Sequence, residues 1–387
     1  MRVPKHILPI IVLAQFCCTS LWFASNAIME DLVLAFGFGN DVVGGLTSAV
    51  QFGFISGTLL FAVLTITDRF SPSRVFLVCA LLGALSNMAL LWLDHSLFTL
   101  LGFRFLTGFF LAGIYPVGMK IAADYFDKGL GTSLGFLVGA LVLGTAFPHL
   151  LKTFGKAQSW KDVILITSAL ATMGGFLLWA LVPNGPFRRQ SQQLQLNAFF
   201  KVFKNRNFKT AAFGYFGHMW ELYTFWTFVP LLLIAFSLTH SLAINIPLWS
   251  FVIIGIGSIA CVIGGYISQR FGTQRTARTA LLLSGSCCLL LPFVFLVGHT
   301  SLFLAFMVFW GMVVIADSPL FSTLVAQNTI PEFKGTALTI VNCIGFAITI
   351  VSIQVLSTFI QHSDSIWGYP LLFIGPAFGL YHLFSKK

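Results

Sequence analysis

The sequence predicts an all-α membrane protein: twelve transmembrane helices arranged as two pseudo-symmetric six-helix bundles. Three observations carry that expectation. Of 387 residues, 57% are hydrophobic and 9% charged, with a mean hydropathy of +0.90, whereas a soluble domain carries roughly 25% charged residues. The 43 phenylalanines can be covered only by a bilayer or by one another. A spanning helix with its connection takes roughly 30 residues, so the chain holds about twelve.

The apolar runs can be taken in order. The first, 7–29, follows Arg2 and Lys5 as a signal peptide would, but it is long enough to span and is read as a retained helix. Charged, Pro or Gly-rich breaks then delimit 42–66, 75–93, 97–119, 131–151 and 163–183. The longest polar interval follows, with Arg188, Arg189, Lys201, Lys204, Arg206 and Lys209. Beyond it lie 210–236, 245–267, 279–298, 301–325, 336–360 and 366–384. The expected organisation is a bundle over 1–183, a linker over 184–209 and a second bundle over 210–387.

Charge placement orients the chain. With the N-terminus cytoplasmic, 18 of the 22 Lys and Arg residues fall on the inside; Lys152, Lys156 and Lys161 fall outside, and Arg104 lies within a helix. That asymmetry places both termini in the cytoplasm. It also accounts for the net charge of +10 as a basic face beside anionic lipid, with no nucleic-acid partner required. All seven cysteines sit in apolar runs without metal-ligand spacing, so they read as small core residues, and no metal or cofactor is expected.

The two halves echo each other. Arg69, Phe70 and Arg74 after the second helix recur as Arg270, Phe271 and Arg275 after the eighth, each 201 residues on. Gly131 and Thr132 opening the fifth helix recur as Gly335 and Thr336 opening the eleventh. Parallel six-helix repeats are a transporter architecture.

These features resemble the major facilitator superfamily. The segment Asp68-Arg69-Phe70-Ser71-Pro72-Ser73-Arg74 resembles its loop signature between helices two and three, although Leu64 stands where the pattern has Gly. The second copy keeps Gly265 but has Gln269 in place of the acid. The resemblance implies that Asp68, Arg69, Arg74, Arg270 and Arg275 latch the halves in one conformational state. Arg104-Phe105-Leu106-Thr107-Gly108, followed by Gly113, resembles the fourth-helix signature, whose Arg the family ties to proton coupling or substrate charge. Helix five, with Gly131, Gly135, Gly139, Gly144 and Pro148, only loosely resembles the antiporter pattern and lacks its adjacent Gly-Pro pair, so export is not inferred from it. Segments Arg104 to Lys120, Tyr215 to Pro230 and Ala316 to Gln327 resemble a branch of compact bacterial facilitators, which implies an inner-membrane location. The family's members usually act as monomers.

A charge at the bilayer centre costs about 2.5 to 3.5 kcal/mol on insertion scales, so each one is a candidate for function. Four qualify. Arg104 either serves transport or is a structural charge held by a backbone carbonyl or carboxylate. His218 and Glu221 are spaced i, i+3 on one face of helix seven, with Tyr215 a turn earlier; they form a proton-handling pair, or Glu221 braces the helix with His218 as its neutral partner. Asp317 precedes Ser318 and Pro319, where the proline removes a backbone donor and invites a broken helix. Such breaks hold transporter sites, but Asp317 could equally brace the kink.

Polar stripes complete the set. Gln15, Thr19, Trp22 and Asn26 line one face of helix one, and Asn342, Gly345, Thr349 and Ser352 one face of helix eleven. The first stripe fits a cavity wall, because the family's helices one, four, seven and ten line its cavity; the second fits either a cavity or helix packing. Gln51 is similarly undecided, and Trp220, Tyr223 and Trp226 suit an aromatic solute. No Walker pattern is present, so an ion or solute gradient supplies the energy. The Gly131-Thr132-Ser133-Leu134-Gly135 spacing of a hydrolase elbow opens a membrane helix rather than following a strand, so it does not make an enzyme. The leading expectation is proton-coupled uptake of a small polar or anionic organic solute by alternating access, with Arg104 on the solute's charge and Glu221 or Asp317 on the proton. Proton-coupled efflux is the alternative. A membrane sensor and a lipid-modifying enzyme using Glu30, Asp31, Asp124 or Asp127 rank below both.

Overall fold

The computed structural model describes residues 4–38, 42–92, 95–126, 130–154, 160–188, 202–330, 333–363 and 366–385, without the side chains of residues 68, 130, 131, 132 and 363. The acidic member of the loop signature, Asp68, is thus outside the described side chains, and so is the middle of the expected linker, 189–201, together with Arg2, Asp127 and Lys156. The described residues form helices and turns with no strand.

Ten continuous or nearly continuous apolar helices are long enough to span a bilayer: α2 Val42–Val63, α3 Pro72–Leu91, α4 Leu97–Tyr125, α5 Leu130–Phe154, α6 Trp160–Leu181, α7 Arg206–Thr239, α8 Ile246–Phe271, α9 Thr273–Val297, α10 Thr300–Gln327 and α11 Lys334–Ser363. The first and last apolar runs are broken. The segment α1 comprises Ile7–Thr19, Ala24–Ala27 and Met29–Phe36. The segment α12 comprises a 3₁₀ stretch, Ile366–Phe373, and a helix, Ile374–Phe384; Pro370 and Pro376 remove donors that a regular helix would need.

Helix starts follow local chemistry. Ser96 accepts from Thr99 N, Asn205 from Asn207 N and Phe208 N, Asn245 from Leu248 N, and His299 Nδ1 from Leu302 N. Each supplies an acceptor to an amide that has no partner within the helix. The Asn205 cap starts α7 four residues earlier than the hydropathy pattern suggests.

The chain divides into two compact units, residues 1–194 and 195–387. In unit 1, α2 and α4 touch backbone to backbone: a Cβ on Gly108 would lie 2.0 Å from Val50 O. In unit 2, α8 and α10 do the same, and a Cβ on Gly311 would lie 1.9 Å from Ile253 O. Both members of the second pair stand 203 residues after their counterparts. Gly174 of α6 packs against Ala14 O of α1, and Gly375 of α12 against Gly217 O of α7. Lipid gives helices no solvent-driven reason to associate, so contact through residues lacking a side chain is how they gain dispersion energy. The six-helix repeat is therefore built into the packing and extends beyond the basic loops.

Candidate functional site

The four ionisable side chains that the sequence marks as candidates are buried in the helical interior: Arg104 and Asp317 at 0% exposure, His218 and Glu221 at 1%. They form three separate arrangements.

In unit 1, α1 loses its helical pattern at residues 20–23, which leaves carbonyls without their usual intrahelical donors. Arg104, one helix away on α4, satisfies them: Nη2 donates to Trp22 O at 2.7 Å and Leu21 O at 3.2 Å, and Nη1 donates to Asn87 Oδ1 on α3 at 3.2 Å. Asn87 Nδ2 in turn donates to Thr167 and Ser168 on α6. Arg104 thus acts as a cation at the end of the first helical piece of α1, where the helix dipole favours positive charge. Two of its three partners are backbone carbonyls.

In unit 2, Glu221 on α7 is held by three donors. Trp310 Nε1 of α10 and Cys288 Sγ of α9 donate to Oε1 at 2.7 and 3.3 Å, and Ser284 Oγ of α9 donates to Oε2 at 2.9 Å. Phe225 packs at a tilt against the Trp310 indole with centroids 4.3 Å apart, which helps to fix the donor. The two junctions are related by the repeat. Asn87 and Cys288, each on the third helix of its unit, stand 201 residues apart, and both touch the buried charge. One junction encloses a cation and the other a carboxylate.

The third arrangement is His218 with Asp317. Nδ1 lies 2.8 Å from Oδ1, and both side chains are enclosed. His218 therefore pairs with Asp317 and not with Glu221, although both project from α7. The α10 helix breaks at Asp317, between Thr300–Ala316 and Ser318–Gln327, with Pro319 in the first turn of the second piece. The carboxylate sits at the positive N-terminal end of that piece. Among the described residues, His218 Nε2 and Asp317 Oδ2 are buried with no hydrogen-bond partner, and the 2.8 Å approach of Nδ1 to Oδ1 is a close ionic contact without hydrogen-bond alignment. The corresponding helix of unit 1, α4, breaks between Leu111 and Tyr115, again with a proline, Pro116, in the first turn of its second piece. Pro116 stands 203 residues before Pro319.

The remaining sequence candidates fall in several places. Asn26 Nδ2 donates to Thr47 Oγ1 at 2.8 Å and ties α1 to α2. Trp22 packs on Phe54 with centroids 4.9 Å apart. The side-chain amides of Gln15 and Gln51 are buried without hydrogen bonds among the described residues. Tyr223 packs against Trp226 and Phe346, while Asn342 is half-buried with no hydrogen bond among the described residues. In the same stripe Ser352 bonds Thr224 of α7, and Gly345 abuts Tyr215, so this face contributes to packing between α7 and α11. Arg69 Nε donates to Thr65 Oγ1 at 3.2 Å, and Arg188 Nη2 donates to Phe70 O at 2.9 Å. Arg74 is exposed, Arg270 lies over the Phe271 ring, and Arg275 lines a cavity described below. Asn87, Ser284, Cys288 and Trp310 were not singled out in the sequence. Their only signals were a lone amide in an apolar helix and a Ser/Cys pair at i, i+4.

Twelve apolar helical segments in two repeating units, with charges enclosed in their interiors, define a multi-pass membrane transporter. The Major Facilitator Superfamily matches residues 11–353, and the chain belongs to that family. It is 24% identical over 379 residues to YceJ, an uncharacterized MFS-type transporter of Bacillus subtilis (strain 168), covering 94% of this chain and 92% of that protein. Its fold is similar to that of the nucleoside transporter NupG (TM-score 0.71, 15% identity, 98% of each chain). It is also similar to that of the proton:xylose symporter XylE (TM-score 0.74, 14% identity, 97% of this chain and 94% of that one).

Proposed function

We propose that this transporter is a secondary carrier that couples uptake of a small polar or anionic organic solute to proton movement. The proposed setting is a bacterial inner membrane with both termini cytoplasmic, and the working unit a monomer using alternating access. The observation that carries this reading is the His218–Asp317 pair. Enclosing an ion costs several kcal/mol even after relaxation, so an acid and an imidazole at hydrogen-bond distance favour sharing a proton. The pair sits at a helix break, where a change in the bend of α10 alters the distance between them. Asp317 is the proton carrier in this scheme, with His218 receiving or returning the proton through Nδ1. Glu221 is fixed by three donors from two other helices, which suits a carboxylate that holds α7, α9 and α10 in register. Arg104 does the same for α1, α3 and α4, so the solute's negative group, where it has one, meets another residue.

The test is proton movement in vesicles. Purified protein is reconstituted with a pH dye inside and challenged with organic acids, amino acids, sugars and nucleosides. A solute-dependent pH change in the wild type that is lost in Asp317→Asn, with labelled solute still exchanging, supports the scheme. Solute movement with no pH change in the wild type refutes proton coupling.

A further inference from the structure

At one end of unit 2 the starts of α7 and α9 and the ends of α10 and α12 surround a cavity of about 700 Å³. Three guanidinium groups line it, Arg206, Arg275 and Arg278, with His382, and no lining residue is acidic. Two of the arginines are held in place. Arg206 Nη2 donates to Ser385 O at 3.1 Å, and Arg278 lies over the Phe384 ring at 4.5 Å. The Arg275 guanidinium has no hydrogen bond or ion pair among the described residues. Of the four acidic residues in this unit, Glu221 and Asp317 are buried deeper in the bundle, and Glu332 and Asp364 lie outside the described residues. The cavity therefore presents positive charge that the described chain does not neutralise, and the first turn of α9 adds its amide ends.

A second cavity, about 460 Å³, adjoins the first and shares Arg275 with it. Its walls are apolar: Ile263, Ile267 and Phe271 of α8, Leu283 of α9 and Val313 of α10. Ile263, Ile267, Phe271 and Leu283 are all exposed on the helix surface. Along α8 the groove runs from Ala260 to Phe271, about 16 Å at the helical rise. That is the depth of one leaflet, half of the roughly 30 Å hydrocarbon core.

We propose that the two cavities are one binding site for an anionic phospholipid, with its phosphate among Arg275, Arg278 and Arg206 and one acyl chain along the α8/α9/α10 groove. A charged pocket that continues into an apolar trough one leaflet deep matches an amphiphile with a phosphate at its end. A soluble phosphate would use only the basic cavity, and a zwitterionic lipid would bring its own cation to three arginines.

The experiment is native mass spectrometry of the full-length protein in detergent, titrated with phosphatidylglycerol, with phosphatidylcholine of the same acyl chains, and with inorganic phosphate. The wild type is expected to retain phosphatidylglycerol in preference to phosphatidylcholine. Each arginine replaced should lower that preference by about fivefold, as expected for a basic side chain near an anionic headgroup. Arg275→Gln/Arg278→Gln tests the headgroup end, and Thr279→Trp, which fills the groove from α9, tests the chain end. Lys161→Gln, a cation removed from unit 1, should change nothing. Equal retention of the two lipids, or a preference that survives Arg275→Gln/Arg278→Gln, overturns the proposal. So does inorganic phosphate binding as tightly as phosphatidylglycerol with no effect of Thr279→Trp, because the basic cavity is then a soluble-anion site.

Discussion

Arg104 and Glu221 occupy related junctions, and each ties together side chains or carbonyls from two neighbouring helices. Replacing Arg104 by Met keeps the stem volume but strips Trp22 O, Leu21 O and Asn87 Oδ1 of a donor; a buried polar group that loses its donor costs about 1 to 3 kcal/mol when nothing replaces it. Arg104→Met should therefore lower the unfolding temperature of unit 1 clearly in a detergent melt, whatever its effect on transport. Trp310→Phe removes one donor from Glu221 and should destabilise by about 1.5 to 3 kcal/mol, the range for a hydrogen bond to a charged group. Trp310→Phe/Glu221→Gln should cost less than the sum of the two single changes, which a double-mutant cycle measures. The sequence made Arg104, Glu221, His218 and Asp317 visible because charge is rare in an apolar chain. It could not show their pairing. The i, i+3 spacing set His218 beside Glu221, whereas the partner of His218 came from α10, ninety-nine residues away. Cys288 was legible only as a small core residue, because nothing local announces that its thiol meets a carboxylate.

The helices pack through glycine, and this separates positions that look alike in the sequence. Gly108 and Gly311 have a backbone oxygen within 2.0 Å of where a Cβ would stand, while Gly102 and Gly265 have nothing within 4 Å. Gly108→Ala and Gly311→Ala should each force helices apart and reduce the yield of monodisperse protein on size exclusion. Gly102→Ala and Gly265→Ala should leave yield and melting unchanged. Hydropathy located the helices well because lipid demands long apolar runs with satisfied backbones. It read α1 and α12 as simple spans, since the breaks near residues 20–23 and in Ile366–Phe373 depend on Arg104 reaching across from α4 and on prolines embedded in an apolar run. The break at Pro319 was foreseen, and its counterpart at Pro116 was not, because no charge beside Pro116 drew attention to it.

For the whole molecule, the seven cysteines are all buried, which makes single introduced cysteines readable against a silent background. Lys204→Cys and Lys161→Cys should be labelled from opposite sides of the membrane by an impermeant maleimide in intact cells, with Lys204→Cys protected until the cells are opened. Labelling of Lys204→Cys in intact cells with Lys161→Cys protected would reverse the charge-based orientation. The related junctions of opposite sign also bear on how the transporter responds to voltage. A membrane potential does work of about 2.3 kcal/mol per elementary charge per 100 mV on a charge carried fully across, and it acts in opposite senses on a guanidinium and a carboxylate. Provided both stay ionised, equal displacements of Arg104 and Glu221 in the same direction along the field cancel electrically, and displacements in opposite directions add. Capacitive currents from the empty carrier would report which of the two holds for this pair of buried charges.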